Sequence, residues 1–374
     1  MTVIVFIIIL AVLIFVHEFG HFIFARMNGI RVDAFKLGFG PKIIAWKHGE
    51  TEYGINLIPF GGFVKIHGEN PDDDSISGPD AARSFVHKNR WKQASVLFAG
   101  VFFNFLFAWI IYIIIFSVGV NAPPDEYPQY ADRFQDQRIM LIEVSAGSPA
   151  AKAGLAIGDS IAELKTASAE PGSPTKTISA TDGSLTVENI QKLVSESGGT
   201  PVAVTFERGG MASTTNIIPV KGIVAGTYAI GIAMSDAVTF HLPFLSAVKE
   251  GTIYTVVMIR DTAVGLATFV ANIFQGTAQW SQVTGPVGIA RDLGDVIQLG
   301  FVSVLMFTAL ISVNLGIINL IPFPALDGGR ILFVAIEGET RRRISPNFTN
   351  IVNLIGFVLL MILMVAVTYK DIFN

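Results

Sequence analysis

Four long apolar runs alternate with polar stretches along the chain. Residues 3–25 are apolar except for His17, Glu18, Gly20 and His21. A helix of about 20 apolar residues spans a bilayer. Three further runs have this length and character, at residues 94–120, 299–320 and 351–368. The pattern therefore predicts four transmembrane helices.

Basic residues beside these runs predict their orientation, because Lys and Arg concentrate on the cytoplasmic side. The flanking basic residues are Arg26, Arg31, Lys36, Arg83, Lys88, Arg90, Lys92, Arg330, Arg341, Arg342 and Arg343. All of them lie in the first and third connections, which are therefore predicted to be cytoplasmic. The N-terminus, residues 121–298 and the C-terminus are predicted to be extracytoplasmic.

A fifth apolar stretch, residues 244–274, contains Lys249, Glu250, Arg260 and Asp261. A segment with this mixture of apolar and charged positions is typical of an amphipathic helix that lies at the membrane surface. We therefore expect it not to cross the membrane.

The first connection begins with two strand-like runs, residues 42–47 and 51–58, around the turn at 48–50. Large apolar side chains cover this predicted hairpin: Phe39, Ile43, Ile44, Trp46, Leu57, Ile58, Phe60 and Phe63. We expect the hairpin to dip into the membrane between the helices.

Residues 124–236 have the pattern of a small soluble α/β domain. The predicted strands are residues 139–144, 202–207 and 216–220, and the predicted helices are residues 148–154 and 187–195. Residues 166–184 are rich in Ser, Thr, Pro, Gly and Ala, which predicts a mobile loop.

Composition agrees with a membrane protein. Charged residues make up 15% of the chain, against about 25% in soluble proteins, and the mean hydropathy is +0.55. A net charge of −4 excludes a nucleic-acid binder with a basic face. The absence of cysteine excludes disulfides, thiolate metal sites and cysteine nucleophiles.

Residues 17–21 read His-Glu-Phe-Gly-His within the first predicted helix. Residues i and i+4 share one face of a helix, so both imidazoles can reach one metal ion. Glu18 can then address a water bound to that metal. The alternative is a pair of capping or core histidines, but two His and a Glu are costly within hydrocarbon unless they serve a function.

Catalytic zinc usually takes three protein ligands and a water, so a third ligand is needed. The best candidate is Asp327, which follows Pro322 and Pro324 at the cytoplasmic end of the third span. The prolines break the helix there, and irregular backbone at membrane depth is tolerated where it lines a cavity. The alternative to a metal ligand is that residues 327–329 form an ordinary turn after the helix. Asp327 reaches the depth of the histidines only if residues 244–274 do not cross the membrane.

These motifs together resemble the bacterial site-2 protease family, specifically its sigma-factor-activating intramembrane metalloproteases with a PDZ domain. The similarity rests on the H-E-F-G-H motif, Gly38-Phe-Gly-Pro41, Gly285-Pro-Val-Gly288 and N-L-I-P-F-P-A-L-D-G-G at residues 319–329. Residues 142–159 are similar to the PDZ signature of the family. The resemblance implies Zn²⁺ held by His17, His21 and Asp327, with Glu18 as general base. It also implies that Asn319 helps to hold the substrate.

The predicted fold is a polytopic α-helical membrane protein with four transmembrane helices, a membrane-dipping β-hairpin and one inserted extracytoplasmic PDZ-like α/β domain. The predicted segments are 1–26, the first helix with H-E-x-x-H; 27–93, the hairpin and cytoplasmic loop; 94–120, the second helix; 124–236, the PDZ-like domain; 240–298, the surface segment; 299–329, the third helix with L-D-G-G; 330–350, a cytoplasmic loop; and 351–369, the fourth helix.

The predicted activity is cleavage of the transmembrane segment of single-span substrates, near the cytoplasmic side of a bacterial inner membrane. By resemblance, the substrates are anti-sigma factors after a first cut and remnant signal peptides. The PDZ domain either binds peptide C-termini or excludes substrates with a bulky outer domain by size. Two other hypotheses are a non-proteolytic PDZ-bearing scaffold with a structural metal, and a metal carrier. Glu18 argues against the scaffold, because a structural site needs no base.

Cleavage requires a locally extended substrate, because a helical peptide bond is shielded by its own side chains. We expect an edge strand of the hairpin, at Ile55, to pair with the extended segment. Pro322 and Pro324 leave nearby carbonyls free, and Asn319 adds a side-chain amide, so these residues are further candidates for substrate binding.

Overall fold

A computed structural model of the protein describes residues 1–70, 73–166, 176–224, 226–279 and 283–373. The chain forms two compact units. The helical unit comprises residues 1–113, 248–294 and 305–374, and the sheet unit comprises residues 114–247 and 295–304.

Ten α-helices lie in the described residues. They are α1 (Thr2–Met27), α2 (Asp73–Ser77), α3 (Arg90–Val118), α4 (Pro149–Lys152), α5 (Val187–Glu196), α6 (Phe244–Gln275), α7 (Pro286–Gln298), α8 (Phe301–Leu320), α9 (Asp327–Thr340) and α10 (Pro346–Phe373). Short 3₁₀ turns occur at Ala81–Arg83, Phe85–His87, Pro124–Glu126, Pro128–Arg133 and Ala180–Asp182.

Five of these helices, α1, α3, α6, α8 and α10, are long and apolar enough to cross a membrane. The protein is therefore a multi-pass membrane protein. The sequence predicts four spans, and α6 is the additional candidate. Its most apolar window has a mean hydropathy of 1.5, whereas the other four helices reach 2.3 to 2.8.

The eleven strands of the described chain are β1 (Val32–His48), β2 (Thr51–Ile66), β3 (Val120–Ala122), β4 (Gln135–Val144), β5 (Ser160–Thr166), β6 (Thr177–Ser179), β7 (Val202–Arg208), β8 (Met211–Ile217), β9 (Val220–Lys221), β10 (Tyr228–Ala229) and β11 (Ile232–Phe240). Only β1 and β2 belong to the helical unit.

The long strands β1 and β2 bend sharply, so that two strands make a sheet with four runs. Residues 32–37 pair with residues 62–66 on one side and with residues 52–55 on the other, while residues 44–48 pair with residues 51–55. Gly38, Gly40 and Gly61 lie at the bends with positive φ, a backbone conformation that side chains with a Cβ rarely adopt.

The expected edge position of Ile55 is wrong. Ile55 pairs with Ile44 on one side and with Leu37 on the other, so it lies inside the sheet. The two outer runs are residues 44–48 and 62–66. The bend of β1, which the alternation of apolar and polar positions does not reveal, places a third run beside Ile55.

The sheet unit contains an antiparallel sheet of order β3-β11-β4-β5-β7-β8, with β6 paired to β5. Helix α5 covers it with Ile190, Leu193 and Val194, which are buried and share one helix face. The Thr186 hydroxyl caps α5 by accepting a hydrogen bond from the backbone N–H of Asn189 at 3.1 Å. Of the predicted loop at residues 166–184, residues 167–175 lie outside the described residues.

Candidate metal centre

Two buried histidines lie one turn apart in the last three turns of α1. His17 and His21 are 9% and 7% exposed, and their Nε2 atoms lie 3.2 Å apart. The four-residue spacing brings the imidazoles to one helix face, as the helical repeat requires. Both rings therefore direct their Nε2 atoms to the same point.

Asp327 meets this pair from the first turn of α9. The loop at residues 321–326, which separates α8 from α9, folds back tightly over the start of α9. A Cβ on Gly328 would overlap the carbonyl oxygens of Leu320 and Ile321, and one on Gly329 would overlap that of Phe323. The two glycines after Asp327 thus allow the close turn that directs its carboxylate to α1.

The three side chains form a compact triangle of candidate ligand atoms. Asp327 Oδ2 lies 3.1 Å from Nε2 of His17 and 3.2 Å from Nε2 of His21. Ligands bound tetrahedrally to one zinc ion at about 2.0–2.1 Å lie about 3.3 Å from one another. Asp327 Oδ2 is also buried, and its contacts with the two Nε2 atoms do not have hydrogen-bond geometry. The distances and the direction of the three groups both fit a zinc ion.

Helix α3 packs directly against the histidines because two glycines make room for it. A Cβ on Gly20, inside the H-E-x-x-H motif, would overlap the Ala99 carbonyl oxygen, and one on Gly100 would overlap the His21 imidazole. His21 Nδ1 donates to the carbonyl oxygen of Val96 at 2.8 Å. Since a carbonyl only accepts, this hydrogen bond leaves Nε2 of His21 free to bind a metal.

Glu18 lies in the same cavity as the triangle but is not one of its three groups. It is half-buried, and its Oε2 accepts a hydrogen bond of 3.0 Å from the backbone amide of Val64. Val64 belongs to the outer run of the sheet, so β2 orients this carboxylate. A fixed carboxylate beside the ligand atoms is suited to proton transfer.

The cavity has a volume of about 460 Å³, and its polar wall comes largely from the end of β2 and the turn after it. Arg31 lines this wall and donates to Asp33 at 2.8 Å and to Asp80. The hydrogen bond from Arg31 holds the pKa of Asp80 below its usual range. Glu69 and Arg330, which also line the cavity, form an ion pair.

The other predicted substrate-binding residues lie outside this cavity lining. Asn319 is half-buried near the end of α8, where its amide nitrogen donates to the Leu315 carbonyl at 3.0 Å. Pro322 and Pro324 lie in the loop before α9, and Ile55 lies in the sheet. The structure thus joins His17, Glu18, His21 and Asp327 in one site and does not join the remaining four to it.

Sequence reasoning did not assign a role to two residues of α3 at this site. Gly100 has no side chain that could indicate a function. Its role is visible only in the structure, where it lies against the imidazoles. Asn104 is visible as the one strongly polar residue in the second apolar run. Its side-chain nitrogen lies 3.1 Å from Nδ1 of His17.

Comparison with known proteins shows the family of this multi-pass membrane protein. The model of Peptidase family M50 matches residues 5–363, and the chain belongs to this family. A protein of Clostridium perfringens named "Putative zinc metalloprotease" is 34% identical, with 96% of this chain and 95% of the relative covered. Zinc metalloprotease RasP of Oceanobacillus iheyensis is 28% identical, with 99% and 98% covered.

The chain is therefore a membrane zinc metallopeptidase, and its cofactor is Zn²⁺. This confirms the family resemblance and the enzymatic activity predicted from the sequence. Peptidase membership also argues against the scaffold and metal-carrier hypotheses.

Proposed function

We propose that this peptidase cleaves transmembrane segments of single-span proteins within the membrane. The observation that carries the proposal is the position of Glu18, His17 and His21 in an apolar helix long enough to span a bilayer. A protease that acts only on soluble chains has no need to bury its reacting groups in such a helix, where polar residues are costly.

The chain's own residues divide the work of hydrolysis. His17, His21 and Asp327 hold the zinc ion, which when bound polarises the scissile carbonyl and lowers the pKa of a water. Glu18 accepts the proton of that water and passes it to the leaving amine. The hydrogen bond from the Val64 amide keeps the Glu18 carboxylate in place for both transfers.

The substrate segment must be extended before it can react, since a transmembrane helix pairs all its backbone groups internally. We assign the pairing partner to the outer run at residues 62–66, in place of the run that contains Ile55. Val64 donates its amide to Glu18 rather than to a strand, so this edge of the sheet faces the site. An extended substrate that pairs here lies next to Glu18.

Exposed apolar side chains support a hairpin that dips into the membrane. The exposed fractions are 48% for Phe39, 58% for Ile43, 54% for Trp46 and 61% for Leu57. Such a surface is unfavourable in water and favourable in lipid. A membrane-dipping hairpin brings the edge at residues 62–66 to the depth of the substrate segment.

We further propose the four-span topology, in which α6 lies at the outer surface. Helices α1 and α8 both lead towards the metal centre at their C-terminal ends, so they are parallel. Between the end of α3 and the start of α8, the chain must then cross the membrane an even number of times, which includes none. The first third of α6 packs beside the last third of α3, where Trp109 donates to Thr252 at 2.8 Å. Helix α7 lies near the start of α1, where Gly294 approaches Thr2.

In this topology both termini and residues 124–236 are extracytoplasmic, and the metal centre lies near the cytoplasmic side of a bacterial inner membrane. The basic residues of the first and third connections support this orientation.

The sheet unit is proposed to be a PDZ-like domain that binds peptide C-termini. A cavity of about 610 Å³ lies between α5 and β11 and is lined by Ile190, Val194, Tyr228 and Ile232 among others. Strand β3 pairs with residues 238–240 of β11, whereas the groove follows the beginning of that strand, at residues 232–234. A groove between a helix and an edge position of this kind suits an added peptide strand. The transmembrane substrates are anti-sigma factors after a first cut and remnant signal peptides, as in regulated intramembrane proteolysis.

The test is cleavage of model transmembrane substrates by the purified full-length protein in detergent. We expect cleavage within the apolar segment, its loss after treatment with a chelator and its recovery on addition of Zn²⁺. The Glu18→Gln protein is the control for a contaminating protease. Cleavage only in the soluble flanks of the substrate contradicts the proposal.

A further inference from the structure

Asn104 is a fully buried amide in the middle of the apolar helix α3. Its exposed fraction is 0%. Its Nδ2 lies 3.1 Å from Nδ1 of His17, while its Oδ1 is buried and has no hydrogen-bond partner among the described residues. Burying an amide oxygen without a partner is unfavourable. The pair of observations calls for a role for this side chain.

The protons of His17 define that role. Nε2 of His17 faces both Asp327 Oδ2 and His21 Nε2, so it is the atom that would bind the metal. A nitrogen that binds a metal carries no hydrogen, and a neutral imidazole carries one. The hydrogen of His17 must therefore be on Nδ1 when the metal is bound. The group beside Nδ1 is the amide of Asn104.

Only the oxygen of this amide can accept a hydrogen bond from Nδ1. The nitrogen and oxygen of an amide occupy nearly equivalent positions, and a half-turn of the group exchanges them. That half-turn gives the unpaired Oδ1 a donor and gives Nδ1 of His17 an acceptor. The opposite pairing, in which Nδ2 donates to Nδ1, puts the hydrogen on Nε2 and prevents metal binding there.

We propose that Asn104 is a positioning residue whose Oδ1 accepts the Nδ1 hydrogen of His17 in the zinc-loaded enzyme. The inference rests on the proposed role of His17 as a ligand. Asn104 then fixes the tautomer and the ring orientation of His17, as outer partners of metal-binding histidines commonly do.

The arrangement around His21 supports this reading independently. The carbonyl oxygen of Val96, two helical turns before Asn104, accepts from Nδ1 of His21 at 2.8 Å. Gly100 lies midway between them and makes room for both rings. One face of α3 thus supplies an acceptor to each histidine, one from the backbone and one from a side chain.

The same residue also connects α3 to α8. The hydroxyl of Ser312 donates to the backbone carbonyl of Asn104 at 2.8 Å. This contact involves the backbone carbonyl of Asn104 and is independent of its side-chain amide. Ser312→Ala therefore removes a helix–helix hydrogen bond at the same residue without changing the partner of His17, and it serves as the matched control.

The experiment measures zinc affinity of the purified full-length protein by competition with a chromophoric chelator. The variants are Asn104→Leu, which has the same branching at Cγ, is larger and has no acceptor, and Asn104→Asp, which has only acceptors. The absorption spectrum of the Co²⁺-substituted protein reports the ligand geometry. Thermal unfolding of the metal-free protein reports whether each variant is folded.

We expect Asn104→Leu to bind zinc about 10- to 100-fold more weakly, the usual effect of losing an outer partner. Asn104→Asp should bind within about threefold of the wild type, as should Ser312→Ala. If Asn104→Leu does not fold, the zinc affinity of Asn104→Asp relative to the wild type still shows whether an acceptor at this position is sufficient.

Wild-type affinity in Asn104→Leu overturns the inference. So does an affinity of Asn104→Asp that is at least tenfold below wild type, because a donor rather than an acceptor would then be needed. A wild-type protein that binds no zinc removes the proposed function and this inference with it.

Discussion

Oδ2 of Asp327 lies 3.1 Å from Nε2 of His17, although one residue begins α9 and the other lies in α1. The contact joins opposite ends of the chain at a single point. Asp327 therefore both completes the candidate ligand set and ties the loop after α8 to the first helix.

Replacing Asp327 by alanine should lower zinc occupancy and activity together. The substitution removes a ligand rather than a base, and two histidines alone hold zinc weakly. Metal analysis and a cleavage assay on one preparation test this. If Asp327→Ala binds stoichiometric zinc as tightly as the wild type, Asp327 is not a ligand.

Replacing Glu18 by glutamine should separate zinc binding from activity. Glutamine has nearly the same shape but cannot accept a proton, and losing a general base typically lowers the rate by about 10²–10⁴-fold. Zinc content should stay at the wild-type level. Glu69→Gln is the control, because Glu69 lines the same cavity but pairs with Arg330. Full activity of Glu18→Gln would exclude the proposed proton transfer.

Replacing Gly100 by alanine should disturb the metal centre without adding any polar group. The new Cβ would overlap the His21 imidazole and lie 2.8 Å from Cε1 of His17, so the rings must move. We expect weaker zinc binding and lower activity. The control is Gly338→Ala in α9, where the nearest atom, Cγ of Arg90, is 3.8 Å from the new Cβ. Equal zinc affinity in both variants would contradict this packing argument.

Helix-breaking residues near the scissile bond of the substrate should speed cleavage. An extended segment has free backbone groups that can pair with the edge at residues 62–66. The measurement is a series of cleavage rates for substrates with Leu, Ala, Asn, Gly or Pro at that position. The same substitutions placed near the outer end of the substrate segment are the control. Rates that do not depend on substrate helicity would argue against strand pairing.

The four-span topology can be tested by thiol labelling, because the chain contains no cysteine. A membrane-impermeant reagent added to intact cells should label Thr277→Cys, just beyond α6, if α6 stays at the outer surface. Ser213→Cys in β8 should also be labelled, and Arg342→Cys in the third connection should not. A protected Thr277→Cys that becomes labelled only after cell lysis would show that α6 crosses the membrane.

The sequence by itself was sufficient for the features that depend on local periodicity and spacing. Long apolar runs predict α1, α3, α8 and α10, because hydrocarbon accepts little else. The i, i+4 spacing of His17 and His21 places both rings on one helix face whatever surrounds them. Asp327 was predicted as the third ligand because zinc needs one and this residue ends the third span at the depth of the histidines, and the structure brings it to them.

The tertiary structure alone decided which residues become neighbours across the fold. The bend of β1 puts Ile55 inside the sheet and leaves residues 62–66 at the edge beside Glu18. The close packing of α1 and α3 gives Gly100 and Asn104 their importance. Alternation and helical repeat describe which face of an element is apolar, but not which partner that face meets. That choice is made by long-range packing and by the pairing of buried polar groups.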